Sequence, residues 1–279
     1  MSLAAVVSTP LAAPVITATR LRGGKANSAR GAASLAAGAI SAARQAGCTG
    51  QLVFRIDSAY YSAAVLGAIR RGGACFSVTV RMDPKVRAAI AGIGESAWTP
   101  ITYPQAIWDE DQKRLISDAE VAEVPYTAFA SKKGQAITAR LIIRRVKDLN
   151  RKAAEGQDEL FTSWRYHALF TDSPFEMIQA EAQHCDHAIV EQVFADLTSG
   201  PLAHLPSGHF PANAAWLALA AICHNLTRAA GCLAGAFHAK ARNTTVRGQP
   251  SAWPPASPAT AAATSLSTCP GAGTASTNG

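Results

Sequence analysis

An aspartate closes the apolar run LVFRI at position 57, and a glutamate stands at position 191 within HCDHAIVEQVFADLT, residues 184–198. Carboxylates bind hard divalent cations and, through them, phosphate. Ligands of α/β proteins gather at the carboxyl ends of strands, and Asp57 stands where such a strand would end. An acid there is also a helix cap, in this case for the helix entered through SAYYSAAV. At 100° per residue, Val190, Val193, Phe194 and Leu197 share one face, which is the core side. His184, His187, Glu191 and Thr198 fall in a narrow arc on the other side. That arc reads as a solvated polar face. It also reads as three metal ligands, His184, His187 and Glu191, although HxxHxxxE is not an established zinc signature.

Charge narrows the partner. The 279 residues carry a formal net charge of +7, and no Asp or Glu precedes Asp57, whereas Arg20, Arg22, Lys25, Arg30, Arg44 and Arg55 do. An excess of cations concentrated at one end suits an anion, with nucleic acid the first candidate. Arg20, Arg22, Lys25, Arg30, Arg70 and Arg71 are the expected phosphate contacts. The six cysteines form no CxxC pair, so neither a zinc ribbon nor a redox motif is supported, and scattered thiols fit a reducing cytoplasm. The opening MSLAAVVSTPLAAPVITATRLRGG has no basic segment before its apolar stretch, and prolines interrupt it, so it does not read as a leader. No run is expected to span a bilayer. With no GxSxG, P-loop or GxGxxG between a strand and a helix, an unrelated hydrolase or nuclease using Asp57 with a histidine has little support.

The elements that must position these groups alternate in type. APVITATRL predicts a strand, and NSARGAASLAAGAISAARQAG an alanine-rich helix with Ser28 as N-cap and Gly47 near its end. QLVFRI is a strand, SAAVLGAIRRGG a helix and CFSVTV a strand, a rhythm that implies a parallel or mixed sheet flanked by helices. Residues 96–172 contain short β-rich runs, WTPITY, AEVPYTAF, ITARLIIRRV and SWRYHALFTD, read as antiparallel strands and partly an insertion. SPFE has the form of a capping box from Ser173 to Glu176, opening a helical stretch that runs to about Leu197. PANAAWLALAAICHNLTRAAGCLAGAFHAKAR predicts a second helix, apolar over most of its surface and therefore buried. Residues 248–279, dominated by Pro, Ala, Ser, Thr and Gly without a charged side chain, predict disorder.

Two segments together resemble a known family. RIDSAYYSAAVLGAIRRGGACFSV resembles the strand and helix around the second acid of bacterial insertion-sequence DDE transposases. RYHALFTDSPFEMIQAEAQHCDHAIVEQVFADLTSGPLAHLPSGHFPANAAWLALAAICHNLTRAAG resembles their third-acid helix and the helix behind it. The β-rich stretch between is similar to the strand insertion of one branch. The resemblance covers roughly residues 8–247 and implies an RNase H-like mixed sheet flanked by helices, with residues 1–247 as an incomplete catalytic domain whose first strand is missing and a β-rich insertion, about 96–172, between the second and third acids. It implies Asp57 and Glu191 as catalytic, metal-holding acids and two Mg²⁺ (or Mn²⁺) ions for in-line displacement at phosphate. The implied partner is DNA, specifically transposon terminal inverted repeats, in the bacterial cytoplasm at the nucleoid, with no membrane.

The match departs from the family in three places. That branch's Y-x2-R-x3-E-x6-K pattern is met here by His184, His187, Glu191 and Thr198, so the spacing is kept and the cations are not. His184 and His187 remain able to hydrogen-bond phosphate. The family's first acid belongs on a strand upstream of APVITATRL, where this sequence has no acid, and the uncharged tail reads as a shifted reading frame. The expectation is a truncated transposase without activity. The alternative is a DNA-binding or oligomerising regulator, as a homo-oligomer or with an intact transposase.

Overall fold

The computed structural model describes residues 2–27, 29–102, 108–109, 114–115, 118–131, 133–147, 164–186 and 189–248. In chain order these form strands β1 (Ser2–Val7) and β2 (Val15–Leu21), helix α1 (Ala32–Gln45), β3 (Val53–Ile56), α2 (Ala63–Arg71), β4 (Cys75–Val80) and α3 (Pro84–Ala91). There follow β5 (Thr99–Thr102), β6 (Trp108–Asp109), β7 (Arg114–Leu115), β8 (Asp118–Ala128), β9 (Ile137–Lys147) and β10 (Trp164–Thr171). Helices α4 (Met177–Cys185), α5 (Ile189–Thr198), α6 (Phe210–Ala234), α7 (Ala236–Lys240) and α8 (Asn243–Gly248) complete the order. The chain divides into two compact units, Met1–Leu52 with Ala188–Gly279, and Val53–His187.

In the first unit β1 and β2 pair antiparallel from Ser2↔Leu21 to Val7↔Val15, with a bulge between Ala5 and Val6. The opening segment Ser2–Val7 is thus a strand that the sequence reading did not assign. Alanine-rich α1 packs on this hairpin, burying Leu35, Ala36, Ala39, Ile40 and Ala43, the i, i+4 row expected of one apolar face. Its N-cap is Gly31; the expected cap, Ser28, lies outside the described residues. Ile16 of β2 joins Val193 and Leu197 of α5 and Ala220 and Ala221 of α6 in a shared core.

Helix α6 corrects one expectation, that its apolar surface is buried. It is long and apolar enough by length and composition to cross a membrane, with mean hydropathy 1.3 in its best window, yet only 28% of that window is buried. Nor is it buried all round. Its covered side carries polar residues beside Leu217, Ala220 and Ala221. Asn225 accepts from Ile16 N and donates to Ile16 O, both at 2.8 Å, so one side-chain amide satisfies both backbone groups of a strand residue. Buried Arg228 donates to Ala241 O. His224 is buried, with Nε2 3.2 Å from Pro14 O and Nδ1 2.8 Å from Asn243 Nδ2. These partners fit a neutral imidazole that donates from Nε2 and accepts at Nδ1.

Burial, with a smaller push from Arg228 against the pull of Asp196, holds the His224 imidazolium pKa below its ordinary value. The unfolded chain therefore takes up the proton first as pH falls. Stability of this unit is expected to be full above about pH 6.5 and to drop as pH descends from there toward the depressed folded value. Urea midpoints measured from pH 8 to 5 should show this loss, and His224→Gln should flatten the profile.

The second unit is a six-stranded mixed sheet in the order β3-β4-β10-β9-β8-β5. β3 and β4 are parallel, Val53↔Cys75 to Ile56↔Val78, joined through α2 as a βαβ unit. The other pairs are antiparallel, β10 lying directly against β4 with Thr171↔Ser77. The β-rich stretch therefore extends the sheet of β3 and β4. Among the described residues β3 pairs only with β4, so its other side is an edge.

Phe170 on β10 is the hub of an aromatic core, with ring centroids 5.2 Å from Phe76, 5.8 Å from Tyr126 and 6.3 Å from Tyr61. Arg145 on β9 lies 4.2 Å from the Trp98 ring centroid and 4.4 Å from that of Trp164, while bonding Glu95 and Glu120. Those carboxylates hold its guanidinium pKa above the ordinary value.

Two helix expectations change here. Ser173 does not cap a helix: Arg140 takes the carbonyls of Ser173 (2.6 Å) and Phe175 (2.7 Å), keeping them out of helical geometry, and α4 starts at Met177. The single stretch expected to reach Leu197 is two helices. α4 ends at Cys185 with Ala180 buried against Ile142 and Leu169, whereas α5 buries Val193 and Leu197 with Ile16. The two halves serve different cores, so one continuous apolar stripe does not run through them. The predicted disordered tail lies almost wholly outside the described residues.

Candidate nucleic-acid interface

The expected phosphate contacts near the front of the chain converge. Arg20, Arg22, Lys25 and Arg30 line one pocket of about 410 Å³, together with Gly31 and Phe210, and among the described residues no carboxylate lines it. The local folding reason is visible in the chain. β2 delivers Arg20 at its end, the Arg22–Gly31 turn folds back, and α1 starts at its far side. Arg22 is buried and donates to Asn27 O at 2.8 Å, which braces that turn.

Gly31 gives the site its shape. Its φ of 80° lies in the left-handed region, and Arg20 lies across it: a Cβ placed there would stand 2.9 Å from Arg20 Nη1. The N-terminus of α1 has no side-chain cap and no acid in its first turn. The positive end of the helix dipole and four basic side chains thus share one place, an arrangement that favours an anion. Sequence reasoning found the cations but not Gly31 or Phe210; the Arg30-Gly31 step before an alanine-rich helix was the available signal. Gly31→Ala is expected to cost about 1–2 kcal/mol, since alanine meets both an unfavourable φ and the Arg20 side chain. Chemical denaturation of the first unit measures it.

The remaining expected contacts are elsewhere. Arg70 pairs with Asp172 at 2.7 Å, donates to Thr138 O and lies over the Phe76 ring, while Asp172 also accepts from Phe76 N. Arg70 therefore fastens α2 to β9 and β10. Arg71 is exposed at the end of α2. His184 has Ser77 Oγ 2.8 Å from Nδ1 and Thr79 Oγ1 3.0 Å from Nε2, so both ring nitrogens engage β4. His187 lies outside the described residues.

Asp57 is exposed at the carboxyl end of β3, beside parallel β4. Its carboxylate accepts from Ser58 N and caps the single 3₁₀ turn Ser58–Tyr60; Ser62 caps α2. The turn is anchored by Tyr61, whose ring centroid is 4.7 Å from that of Phe129. Burial is the main force raising the Tyr61 phenol pKa far above its ordinary value. On the same edge strand Arg55 donates to Gln183 O at 2.6 Å, tying β3 to the end of α4. Glu191 is exposed in the first turn of α5. Asp57 and Glu191 belong to different units.

Among the described residues no group of three His, Cys, Asp or Glu side chains is placed to hold a metal ion.

No protein-family model matches the chain, and no curated protein matches it.

Proposed function

We propose that this chain is a DNA-binding protein of the DDE transposase kind that does not cut DNA, with an RNase H-like sheet as its architecture. The carrying observation is the pocket of Arg20, Arg22, Lys25 and Arg30 around a helix start with no side-chain cap, where no carboxylate lies among the described lining residues. Phosphodiester is the anion that fits a cluster of this sign and spread. Support for the sheet assignment comes from the element order, a β-hairpin, a helix and then a βαβ unit with Asp57 ending its first strand. In this reading residues 1–247 form the transposase domain, and Asp57 and Glu191 are the acids that such an enzyme would place on its metal ions. The protein acts in the bacterial cytoplasm at the nucleoid, on terminal inverted repeats of an insertion sequence.

A second reading is favoured by the same pocket: a non-catalytic regulator that occupies transposon ends in competition with an intact transposase. Both readings share a test. Full-length protein is titrated against duplex DNA carrying a terminal inverted repeat, by fluorescence anisotropy, with and without Mg²⁺. Four phosphate contacts predict a slope of log affinity against log salt of about −3.5. Absence of binding at about 50 mM salt would remove the DNA reading. Mg²⁺-dependent nicking abolished by Asp57→Ala would overturn the claim that the chain does not cut.

A further inference from the structure

Helix α6 is apolar on two sides: Leu217, Ala220 and Ala221 are buried, and a second apolar stripe faces outward. Asn213, His224 and Arg228 are buried against the first unit. The opposite side carries Trp216, Leu219, Ile222, Leu226 and Leu233, which keep from 36% to 72% of their surface exposed, with exposed Ala212, Ala215 and Ala229 between them. No charged residue lies on that side. These apolar residues follow a seven-residue repeat, Ala212, Leu219, Leu226 and Leu233 in one row and Ala215, Ile222 and Ala229 in the next. The uncovered apolar surface is on the order of 800 Å². That exceeds the roughly 300–600 Å² of the largest patch on a typical monomer and matches the roughly 800 Å² each partner buries in a standard interface.

We propose that a second copy of this chain covers the stripe, the two α6 helices packing antiparallel about a two-fold axis. The pattern of sizes selects this occupant. With the axis beside residue 224, Leu226 meets the partner's Ile222, Leu219 meets the partner's Ala229, and Leu233 meets the partner's Ala215. Every outer layer pairs a large side chain with a small one, which lets the helices approach to about 8 Å and fill the space between them. A two-fold interface must be self-complementary, and this stripe is. A bilayer is disfavoured by the inward side: Arg228, His224 and Asn225 hold β2 and the segment after α6 through hydrogen bonds that insertion would break.

The proposal is independent of the DNA reading and is tested without DNA. Sedimentation equilibrium of the full chain is expected to show a dimer, and Leu226→Glu a monomer with unchanged circular dichroism, its dissociation constant raised at least about 100-fold by burying a charge. In a Cys223→Ser, Cys232→Ser background, oxidation should link Leu219→Cys with Ala229→Cys into a disulfide dimer and leave Leu219→Cys alone unlinked. The wild-type chain remaining monomeric at about 100 µM would overturn the proposal. So would dimerisation of Leu226→Glu, linkage through Leu219→Cys alone, or co-flotation of wild type with phosphatidylglycerol vesicles.

Discussion

Phe170→Ala is expected to lower the unfolding free energy of the Val53–His187 unit by about 4 kcal/mol. Phe170 is fully buried and is the ring that Phe76, Tyr126 and Tyr61 all touch. Truncation removes the transfer energy of a phenyl group and leaves a void that strands on either side cannot close, because β10 is fixed by ladders to both β4 and β9. The more conservative Phe170→Leu keeps most of the volume and should cost less than half as much. Urea unfolding followed by hydrogen exchange at β4 and β10 amides assigns the loss to this unit. A second consequence reaches the acid. Tyr61 anchors the turn that follows Asp57, and burial is what raises its phenol pKa. Opening the cluster should bring that pKa down toward the ordinary tyrosine range, read by ultraviolet titration of tyrosinate. A Phe170→Ala protein with wild-type stability and an unmoved Tyr61 titration would show that the aromatic cluster does not organise this unit.

Local chemistry in the sequence explains what could be read from it. LVFRI, SAAVLGAIRR and CFSVTV carry clear period and breaker signals, and the parallel β3-α2-β4 unit follows from them. The strands of AEVPYTAF, ITARLIIRRV and SWRYHALFTD were legible as antiparallel, but their direct pairing onto β4 is a long-range choice that no local pattern encodes. β1 was missed because a short alanine- and valine-rich run followed by prolines has little alternation to show. Ser173 had every local mark of a cap, yet Arg140, distant in sequence, claims the carbonyls beside it. Hydropathy identified α6 as apolar without revealing which side is covered. That depended on β2 offering backbone groups at Ile16 for Asn225 to satisfy. For the candidate site, charge bias alone pointed to Arg20, Arg22, Lys25 and Arg30. Their meeting point needed the left-handed turn at Gly31. His184 shows the reverse case: its type and spacing suggested phosphate, and two hydroxyls of β4 take up its ring instead.

The triple variant Arg20→Gln, Lys25→Gln, Arg30→Gln is expected to weaken DNA binding by about 10²–10³-fold at 0.1 M salt and to make the salt slope shallower by about 2.7. Arg22 is kept because it is buried and braces the turn through Asn27 O, so its loss would mix folding with binding. The three replaced side chains are exposed, and glutamine retains length and polarity while removing the charge. Stability supplies the control. Like charges crowded at the positive end of a helix repel one another, so without ligand the variant should unfold at an equal or higher urea concentration than wild type. A loss of binding accompanied by a loss of stability would therefore point to damage, not to missing phosphate contacts. Inorganic phosphate sharpens the distinction: at low salt it should raise the thermal midpoint of the wild-type chain and leave that of the variant unmoved. If the variant binds duplex DNA with an unchanged salt slope, the pocket is not where the backbone docks, and Arg70 and Arg71 are not ready substitutes. Arg70 is already held by Asp172, and a lone Arg71 supplies one contact where the slope requires several.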